Sequence, residues 1–260
     1  MRRMATLGAS ITIGLLGMGL APAAADDTVP STTSTADLQK LLTSAAPGST
    51  VQLGAGTFTV TKPLKVPANV NLTGAGTAQT TLQLATGAWS AFSYGFVLMP
   101  AGGNVTISNL TVDGNRSSNP TPPSNSGGGI KLGNGWNVTN VRLTNLNYFK
   151  VWIHQVTGVT VRNCQFDALA GTSGNEDNIG GGRSTNVTIT GNTFDATTRG
   201  NAIDLLRSTN LTVTDNVLAA APGLERSIYL EAVQGALVSG NTLTNGSITA
   251  KSDKSYSGTD

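Results

Sequence analysis

The sequence predicts an all-β fold: a right-handed parallel β-helix, or solenoid, with a short N-terminal capping helix. Three observations carry this expectation. Six segments share the pattern apolar, any, Asn/Gly/Asp, variable, any, apolar: ISNLTV from Ile107, VTNVRL from Val138, VRNCQF from Val161, ITGNTF from Ile189, VTDNVL from Val213 and VSGNTL from Val238. Their starts lie 31, 23, 28, 24 and 25 residues apart, and a period of about 20 to 30 residues with alternating apolar positions describes stacked coils of short strands. A further apolar position stands ten residues before most of these starts, at Val97, Val151, Ile179, Ile203 and Ile228, with Ile130 eight before Val138. Each coil therefore holds at least two strands in fixed phase. Finally, 32 glycines and only 5% aromatic residues suit frequent turns and small side chains better than a compact globule. A propeller needs longer four-stranded repeats, and a sandwich gives no reason for equal residues at equal phase.

Residues 1–25 read as a secretory signal, with Arg2 and Arg3 at the start, an apolar run from Leu7 to Leu20, and Ala23 to Ala25 as a small-residue cleavage site. A membrane anchor would need roughly 20 uninterrupted apolar residues. The expectation is a secreted, extracellular protein with no membrane partner. Residues 26–250 then form one β-helix domain and 251–260 a C-terminal tail.

Ser34, Thr35 and Asp37 precede Leu38, Leu41 and Leu42, which share one helical face, and Pro47-Gly48 marks the stop. Such a helix would cover the first coil, whose open edge otherwise presents unpaired backbone groups. After Leu243 no second amphipathic cap follows. End-to-end self-association through the last coil is the corresponding expectation.

The variable position of the repeat holds Leu110, Val141, Cys164, Asn192, Asn216 and Asn241. Cys164 is expected to be a buried small hydrophobe, and the three asparagines a stacked amide ladder with one rung per coil, roughly 4.8 Å apart. The Asn-x-Ser/Thr sequons at Asn71, Asn104, Asn109, Asn137, Asn186, Asn210 and Asn245 read as turn chemistry, because Asn tolerates the left-handed conformation of tight corners.

Charge and cysteine usage exclude several functions. Arg2 and Arg3 are the only charged residues of the signal, so of sixteen basic and fourteen acidic residues the mature part keeps fourteen of each. Without a clustered basic excess a nucleic-acid partner is not expected. One Cys and one His exclude an internal disulfide and a zinc framework.

Two stretches, GSTVQLGAGTFTVTKPLKVPANVNLTGAG from Gly48 to Gly76 and NVTISNLTVDGNRS from Asn104, resemble the opening coils and the repeating unit of the pectate-lyase-like (pectin lyase fold) superfamily. The resemblance spans about residues 35–250. It implies the fold and a substrate laid along one strand ladder and the loops before it, but that superfold hosts lyases, hydrolases, epimerases and adhesins alike. The Arg-x-Pro-x-x-Arg motif of well-known pectate lyases and the Asp-Pro-His of alginate epimerases are absent. Asn175-Glu176-Asp177 matches only the first element of the polygalacturonase series.

If Val151, Ile179, Ile203 and Ile228 point inward, strand alternation turns their neighbours outward. The outward set is then Lys131, Lys150, Trp152, His154, Asn178, Asp204, Tyr229 and Glu231, with Arg183 and Arg207 at the next corner. Aromatics stack on pyranose faces and cations meet carboxylates, so the set points to an acidic polysaccharide or another glycan ligand. For β-elimination the expected catalytic residues are His154, Asp204, Lys131 and Lys150, with Trp152, Asn178, Arg183, Arg207, Tyr229 and Glu231 holding substrate. A Ca²⁺ ion at Asp167, Asp177 and Asp195, near Asp113 and Glu176, is a further expectation. Two rival readings stand beside this one: a polygalacturonase-like glycoside hydrolase using Asp177 and Asp204 as acid and base, and a non-catalytic glycan-binding or adhesive solenoid.

Overall fold

The computed structural model describes residues 28–120, 125–167, 177–197, 200–220 and 227–252. The expected signal segment, Glu176 and the residues beyond 252 lie outside the described residues, so these expectations have no structural account.

The chain winds as a right-handed parallel solenoid with a fourteen-stranded and an eight-stranded sheet. The first residues of the six repeats stack in one parallel register, Ile107 to Val138 to Val161 to Ile189 to Val213 to Val238. The last residues do the same, Val112 to Leu143 to Phe166 to Phe194 to Leu218 to Leu243, and the rings of Phe166 and Phe194 stack at 4.5 Å. Both columns are buried except in the last coil, where Val238 and Leu243 are only half covered. Between them the third position is left-handed in every coil, at Asn109, Asn140, Asn163, Gly191, Asp215 and Gly240. A corner that demands positive φ admits Asn, Asp or Gly cheaply and most other residues at a cost. That steric demand is what writes the repeat into the sequence.

The variable column is the expected one. Cys164 is 3% exposed, and its thiol is pushed up to about 12 by burial, which makes it unreactive. Asn192 Nδ2 donates to Asn216 Oδ1 and Asn216 Nδ2 to Asn241 Oδ1, both at 2.9 Å. The same amides also satisfy backbone groups, from Cys164 N to Asn192 Oδ1 and from Asn216 Nδ2 to Ile189 O. Buried amides survive here because each is hydrogen-bonded. Asn104, Asn109, Asn186, Asn210 and Asn245 are left-handed corners, but Asn71 and Asn137 are not and begin strands. For those two the turn expectation fails.

The helix α1 runs from Thr35 to Ser44, with the Ser34 side chain accepting from Asp37 N. Leu38 and Leu42 are buried, each contributing about 1.5 to 3 kcal/mol, whereas Leu41 stays 41% exposed at the rim. Thr35 and Gln39 tie α1 to Thr59 and Lys65 of the first coil. No helix among the described residues is long and apolar enough to cross a membrane.

In the eight-stranded sheet the inward column runs Leu64, Leu98, Ile130, Val151, Ile179, Ile203, Ile228, and ends at Ile248 of the last coil, which is exposed. Leu98, not Val97, occupies the expected place. Phe96, Val97 and Leu98 are all buried, so alternation carries no signal there.

Candidate functional site

The outward side of this sheet carries two columns. One runs Lys131, Trp152, Gly180, Asp204, Tyr229, Thr249, and the other His154, Gly182, Leu206, Glu231, Lys251. At the corner that follows, Gln155, Arg183, Arg207 and Ala232 are all left-handed, and the backbone N–H groups of Arg183 and Arg207 donate to Leu206 O and Glu231 O of the next coil. The expected register therefore holds for Lys131, Trp152, His154, Asp204, Glu231, Arg183 and Arg207; Tyr229 keeps the outward strand parity but is only 7% exposed, so the expectation that it offers its ring to substrate is corrected.

Lys150 and Asn178 are corrections. Both are 0% exposed and lie one residue before their strands, at a corner where alternation no longer dictates direction. The Lys150 amine donates to Asp167 O and, at 2.7 Å, to Asn178 Oδ1. A buried ammonium survives by such pairing, and it joins the two ends of the Asp167–Asn178 connection rather than facing substrate.

The rings of Tyr148, Phe149, Trp152 and His154 form a continuous run. Phe149 and Trp152 centroids lie 4.4 Å apart, and Trp152 and His154 stack at 5.4 Å. Beside them opens a cleft of about 350 Å³ lined by Trp152, His154, Gly182, Arg183, Leu206, Arg207 and Glu231. Burial first, then the charges of Arg183 and Lys131, hold the His154 imidazole below its ordinary range. It is neutral at neutral pH, in reach of cations that would meet an anionic ligand. Tyr229 donates its hydroxyl to Glu231 Oε2 at 2.8 Å, and this bond raises its pKa. The glycines of the two columns leave no room for a side chain: a Cβ at Gly180 would lie 2.3 Å from the Phe149 ring and one at Gly182 would lie 2.4 Å from Leu206 O, and both positions are buried.

Asp177 and Asp204 are brought together by a residue that sequence reasoning missed. Asn201 donates its backbone N–H to Asp177 Oδ1 at 2.6 Å and its Nδ2 to Asp204 Oδ2 at 2.9 Å. Burial, reinforced by the charge of Asp204, raises Asp177 to about 7. Nothing in the turn sequence around Asn201 marks it. Leu206, also missed, was readable: it follows Asp204 by two and so shares its outward face.

The calcium expectation does not assemble. Both oxygens of Asp167 accept from Arg142, at 2.7 to 3.2 Å, which is an ion pair. Asp195 is exposed on the fourteen-stranded sheet, and Asp177 is beside Asp204 on the other. Among the described residues no three His, Cys, Asp or Glu side chains gather as metal ligands, whereas calcium asks for six to eight oxygens.

Comparison with known proteins decides the family. The family described as the right handed beta helix region matches residues 94–258. The chain belongs to the right-handed β-helix family. Solved structures similar to this family member show the pectin lyase-like fold. A polygalacturonase from Erwinia carotovora ssp. carotovora has 17% identity and TM-score 0.54, covering 90% of this chain and 80% of its own. A hyperthermoactive exopolygalacturonase from Thermotoga maritima has 12% identity and TM-score 0.51, covering 88% and 76%. PfbA, a surface adhesin of Streptococcus pneumoniae, has 12% identity and TM-score 0.50, covering 88% and 81%. At these identities the likeness concerns the fold. No curated protein matches the sequence significantly.

Proposed function

We propose that this β-helix protein is secreted and cleaves an acidic polysaccharide by β-elimination in the cleft beside His154. The observation that carries the reading is a neutral imidazole stacked on Trp152 and set among cations, with its pKa lowered by burial and by Arg183 and Lys131. Polygalacturonases and an adhesin share the fold, so the fold does not choose an activity and the site must. Elimination needs the uronate carboxylate neutralised, the proton alpha to it removed, and the glycosidic oxygen released. Arg183, Arg207 and Lys131 meet the carboxylate. His154 takes the C5 proton, the C5–H electrons form the C4–C5 double bond, and the C4–O bond breaks. The departing oxygen is protonated by water in the open cleft. Trp152 holds a sugar ring by its face.

A second reading rests on Asp177 and Asp204. A carboxyl held near 7 beside one joined to it through Asn201 is the acid and base pattern of glycoside hydrolysis. Incubating the protein with a panel of polyuronates separates the readings. Elimination gives new ultraviolet absorbance from a conjugated uronate together with new reducing ends. Hydrolysis gives reducing ends without that absorbance, and an adhesive solenoid gives binding with neither.

A further inference from the structure

The aromatic run does not stop at the cleft. The planes of His154 and Trp152 are 24° apart and those of Trp152 and Tyr148 are 26° apart, with centroids at 5.4 and 6.5 Å. All three rings are partly exposed, so together they tile a nearly flat floor. Buried Phe149 and Phe96 hold the Tyr148 ring from beneath, with centroids 4.5 and 5.8 Å away. Phe96 stands on the strand two places before that of Trp152 in the eight-stranded sheet. The floor therefore leads from His154 toward the N-terminal end of the solenoid.

Tyr94 lies two residues before Phe96 and is 71% exposed. Burial first, and then the nearby Tyr94 phenol, raises the Tyr148 pKa, which puts the two side chains in one neighbourhood. The Tyr94 backbone is left-handed, with φ 51°, and its N–H donates to Asn125 O at 2.8 Å. A bulky ring enters that region only at a cost, and such costs gather where a side chain must meet a ligand. Other left-handed corners of the described chain fall mostly to Asn and Gly. Either would remove both the backbone strain and the exposed apolar ring. What Tyr94 adds is a further aromatic surface in line with the floor, and such a surface takes the C–H face of a pyranose.

We propose that Tyr148 and Tyr94 form a distal subsite for further sugar rings of the chain held at Trp152, so that the polysaccharide runs from His154 toward the N-terminal end and long chains bind more tightly than short ones. The subsite rests on the acidic-polysaccharide reading of the cleft and deepens it. Its contact is made by ring faces and not by charge, so salt leaves its share of the affinity nearly unchanged while weakening the cationic share.

The test measures dissociation constants of a short and a long oligomer of one polyuronate, at low and high salt, for the wild type, Tyr94→Phe and Tyr94→Gly. Tyr94→Gly should bind the short oligomer as the wild type does and the long one about tenfold less tightly, by the same factor at both salt concentrations. Tyr94→Phe, which keeps the ring, should bind both as the wild type does. The thermal midpoint of Tyr94→Gly should not fall, because glycine takes a left-handed corner without strain. Undiminished binding of the long oligomer by Tyr94→Gly overturns the subsite and leaves the acidic-polysaccharide reading standing, as does an equal loss on both oligomers. Binding of neither oligomer by the wild type overturns the subsite and the reading beneath it together.

Discussion

His154 lies over Trp152 on a single strand, their ring centroids 5.4 Å apart and their planes 24° from parallel. The indole is thus part of what keeps water from the imidazole. Because His154 is the single histidine of the chain, its titration can be followed by NMR without ambiguity. Trp152→Ala should raise the imidazole pKa toward 6.5, since burial is the largest cause of its lowering. It should also weaken binding of long substrates. An unmoved titration would mean that the ring does not set the imidazole's environment.

Asp177 gives stability a pH dependence of unusual sign. Its folded pKa of about 7 lies above the ordinary 3.8, so between about pH 4 and 7 the folded chain holds a proton that the unfolded chain has lost. The stabilisation is complete below that window and lost as pH rises through it. Asp177→Asn keeps an acceptor for Asn201 N without the charge. It should match the wild type near pH 4 and exceed it at about pH 8 by on the order of 4 kcal/mol in urea unfolding. A variant no more stable at the higher pH contradicts the burial of this carboxylate.

The amide ladder should be least forgiving in its middle. Asn216 accepts from Asn192 and donates to Ile189 O and Asn241 Oδ1, so Asn216→Ala strands several buried partners and should cost about 2 to 4 kcal/mol. Asn241, at the half-exposed end, should cost less than half as much. Equal losses at the two positions, read by chemical denaturation, would count against the ladder as a cooperative unit.

How far the sequence reveals this molecule depends on whether a position answers to local sterics. Asn109, Asn140, Asn163, Gly191, Asp215 and Gly240 show the coil because each must be left-handed. Lys150 and Asn178 misled because polar type and strand parity both pointed outward, while the corner turns them under the surface, where the Lys150 amine donates to Asn178 Oδ1. Val97 misled because its neighbours are apolar too. Leu206 was legible by alternation but has no polar signature to draw attention. Asn201 was not legible at all: its role arises from two carboxylates on neighbouring coils, a relation between distant residues that no local pattern encodes.

The cap at the N-terminal end should matter as much as any core residue. Leu42 of α1 is fully buried against the first coil, and Leu42→Ala should cost about 2 to 5 kcal/mol. It should also increase self-association, by loosening the cover over the first coil's strand edges. Light scattering beside thermal unfolding checks both; a loss of stability without association would confine the helix to a packing role.

The central claim is that chemistry happens on the outward face of the eight-stranded sheet, and turnover of one polyuronate by the wild type, His154→Ala and Asp204→Asn tests it most directly. Both side chains are partly exposed, so stability should change little, whereas a positioned acid or base contributes about 10² to 10⁴ in rate. The account predicts at least about a hundredfold loss of kcat in His154→Ala on a polymer cleaved by elimination, and a like loss in Asp204→Asn where cleavage is hydrolytic, with near-normal thermal midpoints in both. Wild-type turnover in both variants, on the polymer that the wild type cleaves, would contradict it and place the active site elsewhere on the solenoid.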